Sequence, residues 1–265
     1  MSLAPDVAPV LKRIVDGTRA RLAATPVDMD ALTRAAMERV APPDAFAALA
    51  APGIRVIAEV KRRSPSEGAI RADADPVAQA TLYATHGAAA ISILTEPDHF
   101  GGRLADLEAV AAAVSAPCLR KDFIVGKRQI LEARHAGASL VLLIVGVVED
   151  TALRTLREDA EAMGMHALVE AHTADEVRRA ADSGATIIGV NNRNLHTFEV
   201  DLAVGEQLRP LIPDHALAVA ESGIYTRADV DRLRHAGYSK FLVGTALMRS
   251  NDPGAALVDL IGDPG

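Results

Sequence analysis

From Arg55 onward, strand-like apolar runs alternate with helical ones, and five of the helical runs are followed by a glycine. The strand-like runs cover residues 55–60, 89–94, 117–123, 140–145, 166–171, 186–191, 216–222 and 240–244. Several are almost wholly apolar, as Leu140-Val141-Leu142-Leu143-Ile144-Val145 shows, which is the pattern of parallel strands covered on both faces. Helical stretches at 76–85, 127–136, 150–163, 174–183 and 227–236 separate them. Gly87, Gly137, Gly164, Gly184 and Gly237 stand where a helix ends in a left-handed residue. Arg134-His135-Ala136-Gly137 and Arg234-His235-Ala236-Gly237 are near repeats at the same structural point. A βα unit of roughly 25 residues, repeated about eight times, predicts a single (β/α)8 TIM barrel, an α/β fold. A doubly wound open sheet is the alternative, but it would usually carry a Gly-rich turn after its first strand. Glu59-Val60-Lys61-Arg62-Arg63-Ser64-Pro65 is not such a turn.

The first fifty residues do not fit this repeat. Residues 10–23 read as an amphipathic helix with Val10, Ile14 and Val15 apolar, and a second helix is expected over 29–40, before Pro42-Pro43. The expected division is a helical N-terminal extension, 1–50, packed on a barrel, 51–265. The net charge of −7 argues against a nucleic-acid partner, which needs a basic face. Cys118 is the only cysteine, so no intramolecular disulfide forms, and its setting at a strand start suits a small buried hydrophobe. Met1-Ser2-Leu3-Ala4-Pro5-Asp6 lacks a basic, then apolar, leader pattern, and no apolar run reaches membrane-spanning length. The expectation is a cytoplasmic protein with no membrane partner.

In a barrel of this kind the chemistry sits at the C-terminal ends of the strands. There the sequence places Glu59 and Lys61, Arg120 to Asp122, Glu170 and His172, Asn191 to Arg193, Glu221 and Ser222, and Gly244 and Thr245. Strand side chains alternate faces, so Glu59 and Lys61 share Ile57's face. By the same parity Lys121 follows Leu119 and Glu170 follows Leu168 into the barrel mouth. Charges there cost desolvation that a core does not need. Burial lowers a lysine pKa and raises a glutamate pKa, which would suit Lys121 and Glu170 to acid and base work near neutral pH. Arg120 has the opposite parity and faces the helical layer, with Asp122 in support. Glu221-Ser222-Gly223-Ile224 and Gly244-Thr245-Ala246 read as a phosphate cup, with tight turns as the plainer reading of the two glycines. The eight histidines show no HxH or HExxH spacing, so no metal site is expected, and His172 reads as a rim residue.

These residues together resemble the indole-3-glycerol-phosphate synthase family. The resemblance runs from about Val56 to Met248 and rests on ordered motifs. They are Ile57-Ala58-Glu59-Val60-Lys61-Arg62-Arg63-Ser64-Pro65-Ser66, Leu119-Arg120-Lys121-Asp122-Phe123-Ile124, Leu142-Leu143-Ile144, Leu168-Val169-Glu170, Gly189-Val190-Asn191-Asn192-Arg193-Asn194-Leu195 and Ala220-Glu221-Ser222-Gly223-Ile224. The resemblance implies a carboxy-lyase of tryptophan biosynthesis. It closes the indole ring of a small phosphorylated substrate, 1-(2-carboxyphenylamino)-1-deoxyribulose 5-phosphate, with loss of CO2 and water, and needs no cofactor. It further implies Lys121 as general acid and Glu170 as acid/base partner in dehydration. Lys61 would hold the anionic substrate and share proton transfer, while Glu59, Asn191 and Glu221 orient the reacting groups. Ser64 and Arg193 would hold polar or anionic substrate groups. Phe100, Phe123, Leu142, Ile144 and Leu195 would wall the aromatic ring. Ser222, Gly223, Gly244 and Thr245 would cradle the phosphate. Glu67 stands where the family often has a lysine, and Arg103 where serine is common; both bear on substrate-tail contacts and loop closure.

Three alternatives stay open at this level. One is a duplicate acting on a modified anthranilate. Another is an isomerase or Schiff-base aldolase on the same scaffold. A third is a non-catalytic binder of a phosphorylated ligand. The expected assembly is a monomer, with a weak dimer as the alternative.

Overall fold

The computed structural model describes residues 8–262. The Met1-to-Asp6 stretch read for a leader lies outside the described residues. Three helices come first. In α1 (Pro9–Ala24), proline stands at the first turn, where no amide is needed, and Leu11, Ile14, Val15 and Thr18 form the buried face. α2 (Met29–Glu38) starts at Asp28, whose carboxylate accepts from the amides of Asp30 and Ala31, both at 3.0 Å. It stops two residues short of the expected end. α3 (Ala45–Ala50), capped by Asp44, was not anticipated, because six residues are too short to show a helical period.

The barrel then begins with β1 (Arg55–Val60). A small hairpin, β2 (Arg63–Ser64) and β3 (Gly68–Ala69), follows it over the barrel mouth. The βα alternation continues through α4 (Pro76–Thr85), β4 (Ala90–Leu94), α5 (Leu104–Ala113), β5 (Cys118–Lys121), α6 (Lys127–His135), β6 (Leu140–Ile144), α7 (Asp150–Ala162) and β7 (His166–Ala171). After these come α8 (Ala174–Asp182), β8 (Ile187–Asn191), α9 (Leu202–Leu208), β9 (Leu217–Glu221), α10 (Arg227–His235), β10 (Lys240–Val243), α11 (Thr245–Arg249) and α12 (Pro253–Ile261).

Eight parallel strands close in the order β1-β10-β9-β8-β7-β6-β5-β4, so the expected (β/α)8 barrel is the fold. Every residue of β4, β6 and β8 is buried, as near-continuous apolar runs require. Helix ends follow the glycine reading, with Gly137 and Gly237 at φ 89° and 97°. The leading helices are tied to the barrel by side chains of α6. Arg128 donates to the carbonyls of Leu22 (3.0 Å) and Thr25, and Arg134 to that of Arg39 (2.7 Å). Cys118 is a buried free thiol, and burial pushes its pKa up to about 12, in keeping with a packing role.

Candidate active site

Five strands deliver charge or polarity to one cleft. β1 brings Glu59 and, just past its end, Lys61; β5 brings Lys121; β7 brings Glu170; β8 brings Asn191; β9 brings Glu221. Lys61 Nζ lies 3.1 Å from Glu59 Oε1. Lys121 Nζ donates to Glu170 Oε2 at 3.0 Å and Glu221 Oε2 at 3.2 Å. Parity read from sequence thus brings both predicted pairs together. Ser92, from β4, donates to Glu59 Oε2 at 3.4 Å and was missed, though it lies directly opposite Glu59 in the ladder.

The protonation pattern corrects the expectation for Lys121 and Glu170. Burial works to lower the Lys121 pKa, but the charges of Glu170, Glu221 and Glu59 outweigh it, and the ammonium is held well above its ordinary value. Burial works to raise Glu170, but Lys121 and then His172 hold it well below the usual carboxylate range. Glu221 is the group whose pKa rises, to about 8. Desolvation dominates there, and the neighbouring Glu170 charge adds to it against the pull of Lys121. Of the carboxylates around Lys121, Glu221 is therefore the one that binds a proton most readily.

Two glycines make room for these carboxylates. A Cβ on Gly189 would stand 2.1 Å from Glu221 Oε1, and one on Gly244 would stand 2.6 Å from Glu59 Oε1. Gly244, read as a phosphate-cup residue, is therefore also required by Glu59. Ser222 adopts φ 63°, a left-handed conformation uncommon for a non-glycine residue. Asn192 braces that turn, donating to the carbonyls of Glu221 (3.0 Å) and Ser222 (3.1 Å) while accepting from the Gly205 amide (2.8 Å).

His172 is not the rim residue its position suggested. Its side chain is mostly buried, with Nε2 3.4 Å from Glu170 Oε1. Glu176 of α8 reaches back to accept from the His172 amide at 2.6 Å and lies 3.3 Å from Nδ1. Arg120 and Asp122 behave as parity predicted. The Arg120 guanidinium donates to Asp122 Oδ2 (3.0 Å) and to the Gln129 carbonyl (2.7 Å) behind the strand.

The rest of the cleft is apolar or holds loop donors. Phe100, Phe123, Leu142, Ile144 and Leu195 all line it, with the two phenyl centroids 6.0 Å apart. Ser64, Arg193, Ser222, Gly223, Gly244 and Thr245 line it too. Val10, Leu11 and Ile14 of α1 complete the wall. The amphipathic period of α1 was legible, but not the surface its apolar face would cover. Buried Glu96 was also missed. It accepts from the amides of Asp98 (3.1 Å), His99 (2.7 Å) and Phe100 (3.0 Å), and so shapes the loop that presents Phe100. Arg103 is the N-cap of α5 and makes no side-chain cap.

The family model for indole-3-glycerol phosphate synthase matches residues 11–260. The chain is 50% identical over 254 residues to the indole-3-glycerol phosphate synthase of Rhodococcus opacus strain B4, spanning 95% of this chain and 94% of that protein. It is 49% identical over 254 residues to indole-3-glycerol phosphate synthase 1 of Streptomyces coelicolor, with the same coverage. A crystal structure of 3-hexulose-6-phosphate synthase superposes with a TM-score of 0.61 at 19% identity, covering 78% of this chain and 98% of that one, which is a likeness of fold. The chain belongs to the indole-3-glycerol phosphate synthase family.

Proposed function

We propose that the chain is an indole-3-glycerol-phosphate synthase, converting 1-(2-carboxyphenylamino)-1-deoxyribulose 5-phosphate to indole-3-glycerol phosphate, CO2 and water. The observation that carries this is Lys121, an ammonium held between Glu170 and Glu221 at the floor of a cleft walled by Phe100, Phe123 and Leu142. An aromatic ring with a charged, phosphorylated tail suits such a cleft.

The chemistry follows from charge development. The ring carbon bearing the carboxylate attacks the ribulose carbonyl carbon, and negative charge grows on that oxygen. Lys121 protonates it as the carbon–carbon bond forms. The bond to the carboxylate then breaks, its electron pair restores the aromatic ring, and CO2 leaves. Lys121, having regained a proton from solvent, delivers it to the new hydroxyl, which departs as water while a base removes the proton from the neighbouring carbon. Glu170, held ionised, is suited to take that proton. Glu221 keeps its own proton and orients Lys121 and the substrate hydroxyls with Glu59 and Asn191. Lys61 neutralises Glu59 and faces the anionic end of the substrate. Ser64 and Arg193 hold polar and anionic groups, and Ser222, Gly223, Gly244 and Thr245 cradle the phosphate.

No helix among the described residues is long and apolar enough to cross a membrane. We infer a cytoplasmic enzyme that works as a monomer, in keeping with a biosynthetic family that acts on a small phosphorylated substrate. The test is indole fluorescence on mixing the purified protein with the substrate; with no tryptophan in the chain, the background is low. A rising signal is expected. A folded protein that binds the substrate and yields no indole product would overturn the assignment.

A further inference from the structure

Glu67 sits at the turn of the β2–β3 hairpin, held by its own amide donating to the Ser64 carbonyl at 3.4 Å. Its side chain is only 11% exposed, although it is an acid in a loop. Its Oε1 accepts from Arg193 Nη2 at 3.1 Å and from the Thr245 hydroxyl at 3.0 Å. Arg249 Nη2 lies 3.2 Å from Oε2, which accepts no hydrogen bond. Two guanidinium groups and a hydroxyl converging on one anion are the donor set that a phosphate monoester takes. Arg193 and Thr245 are also among the groups read above as meeting the anionic parts of the substrate.

We propose that the Glu67 carboxylate is an internal competitor for the substrate's phosphate, resting on Arg193, Thr245 and Arg249 and yielding them when a phosphorylated ligand binds. The inference rests on the phosphate-cup reading. The hairpin that carries Glu67 pairs Arg63 with Ala69 and Ser64 with Gly68, and the Ile70 amide donates to the Arg62 carbonyl at 2.8 Å, so its turn lies outside the barrel's hydrogen-bond ladder. Withdrawing Glu67 costs its ion pairs, and that cost is subtracted from phosphate affinity. Glu67 therefore sets how tightly a phosphorylated compound is held without touching the reacting carbon atoms. A lysine at this position would add a donor; the glutamate makes the site selective against weak anions, which cannot displace it.

The experiment titrates inorganic phosphate, at constant ionic strength, into the wild type, Glu67→Gln, Glu67→Ala and Thr245→Val. Calorimetry is paired with inhibition of turnover, and circular dichroism checks folding. Both Glu67 variants should bind phosphate roughly tenfold more tightly and show a lower KM with kcat unchanged. Equal or weaker phosphate binding by both, with Thr245→Val still impaired, would overturn the competitor role and leave the cup intact. Absence of phosphate binding in all four proteins, with KM unaltered in Thr245→Val, would overturn the cup reading and the competitor with it.

Discussion

Lys121 and the carboxylates around it form one titrating unit, and its charge count decides how each member behaves. Glu59 is matched by Lys61, while Glu170 and Glu221 share Lys121. Both carboxylates cannot ionise fully in a buried site with one cation between them. Glu221 keeps its proton, so the folded state binds it more tightly than the unfolded chain, whose glutamate has the ordinary value of 4.5. A raised carboxylate stabilises the fold below that ordinary value, and the gain is lost as pH rises toward about 8. Glu170 has the opposite sign, its contribution being lost as pH falls below the ordinary value. Glu221→Gln, a neutral mimic, should remove the first effect. Urea titrations should show the wild type losing on the order of 1 kcal/mol or more relative to the variant between pH 5 and pH 8. Parallel stability curves would contradict the assigned proton. None of this was legible in the sequence. Burial alone predicts a lowered lysine, and the three carboxylates that reverse it come from strands far apart in the chain.

At the scale of elements, sequence patterns carried most of the placement, for reasons that can be named. Strand parity needs only a two-residue period, so Glu59 with Lys61 and Lys121 with Glu170 were correctly paired. The left-handed glycines after α4, α6, α7, α8 and α10 mark where those helices end. What escaped was short or non-local. α3 and the β2–β3 hairpin are too brief for a period, and Glu96 and Ser92 act through partners that adjacency does not supply. Arg103 illustrates a departure whose physical meaning is local. It stands at the N-cap of α5 in an extended conformation, φ −146° and ψ 143°, and makes no side-chain cap. A serine there would satisfy one of the orphan amides of the first turn. Arg103→Ser should raise stability by about 0.5–1 kcal/mol, or roughly 1–4 °C in Tm, with turnover unchanged. A fall in Tm would show that the arginine makes a contact of greater worth than a cap.

Across the whole molecule, the barrel supplies charge at its mouth and α1 covers part of the cleft. α1 presents Val10, Leu11 and Ile14 to the cleft, and Arg21 of the same helix pairs with Asp98 in the loop that carries Phe100. The aromatic wall and the helical cover therefore adjoin one another, while the charged floor is fixed by the strand ladder below. This division keeps the reacting groups on rigid elements and leaves the substrate's access to loops, the arrangement that preorganised catalysis favours. It also means that chemistry and binding can be separated by substitution. Lys121→Met keeps the length of the stem and removes the ammonium. Its steady-state kinetics, with folding checked by circular dichroism, test the central claim most directly. We expect kcat to fall by roughly two to four decades with KM changed only a few-fold. Turnover within tenfold of the wild type would show that the acid lies elsewhere in the cleft.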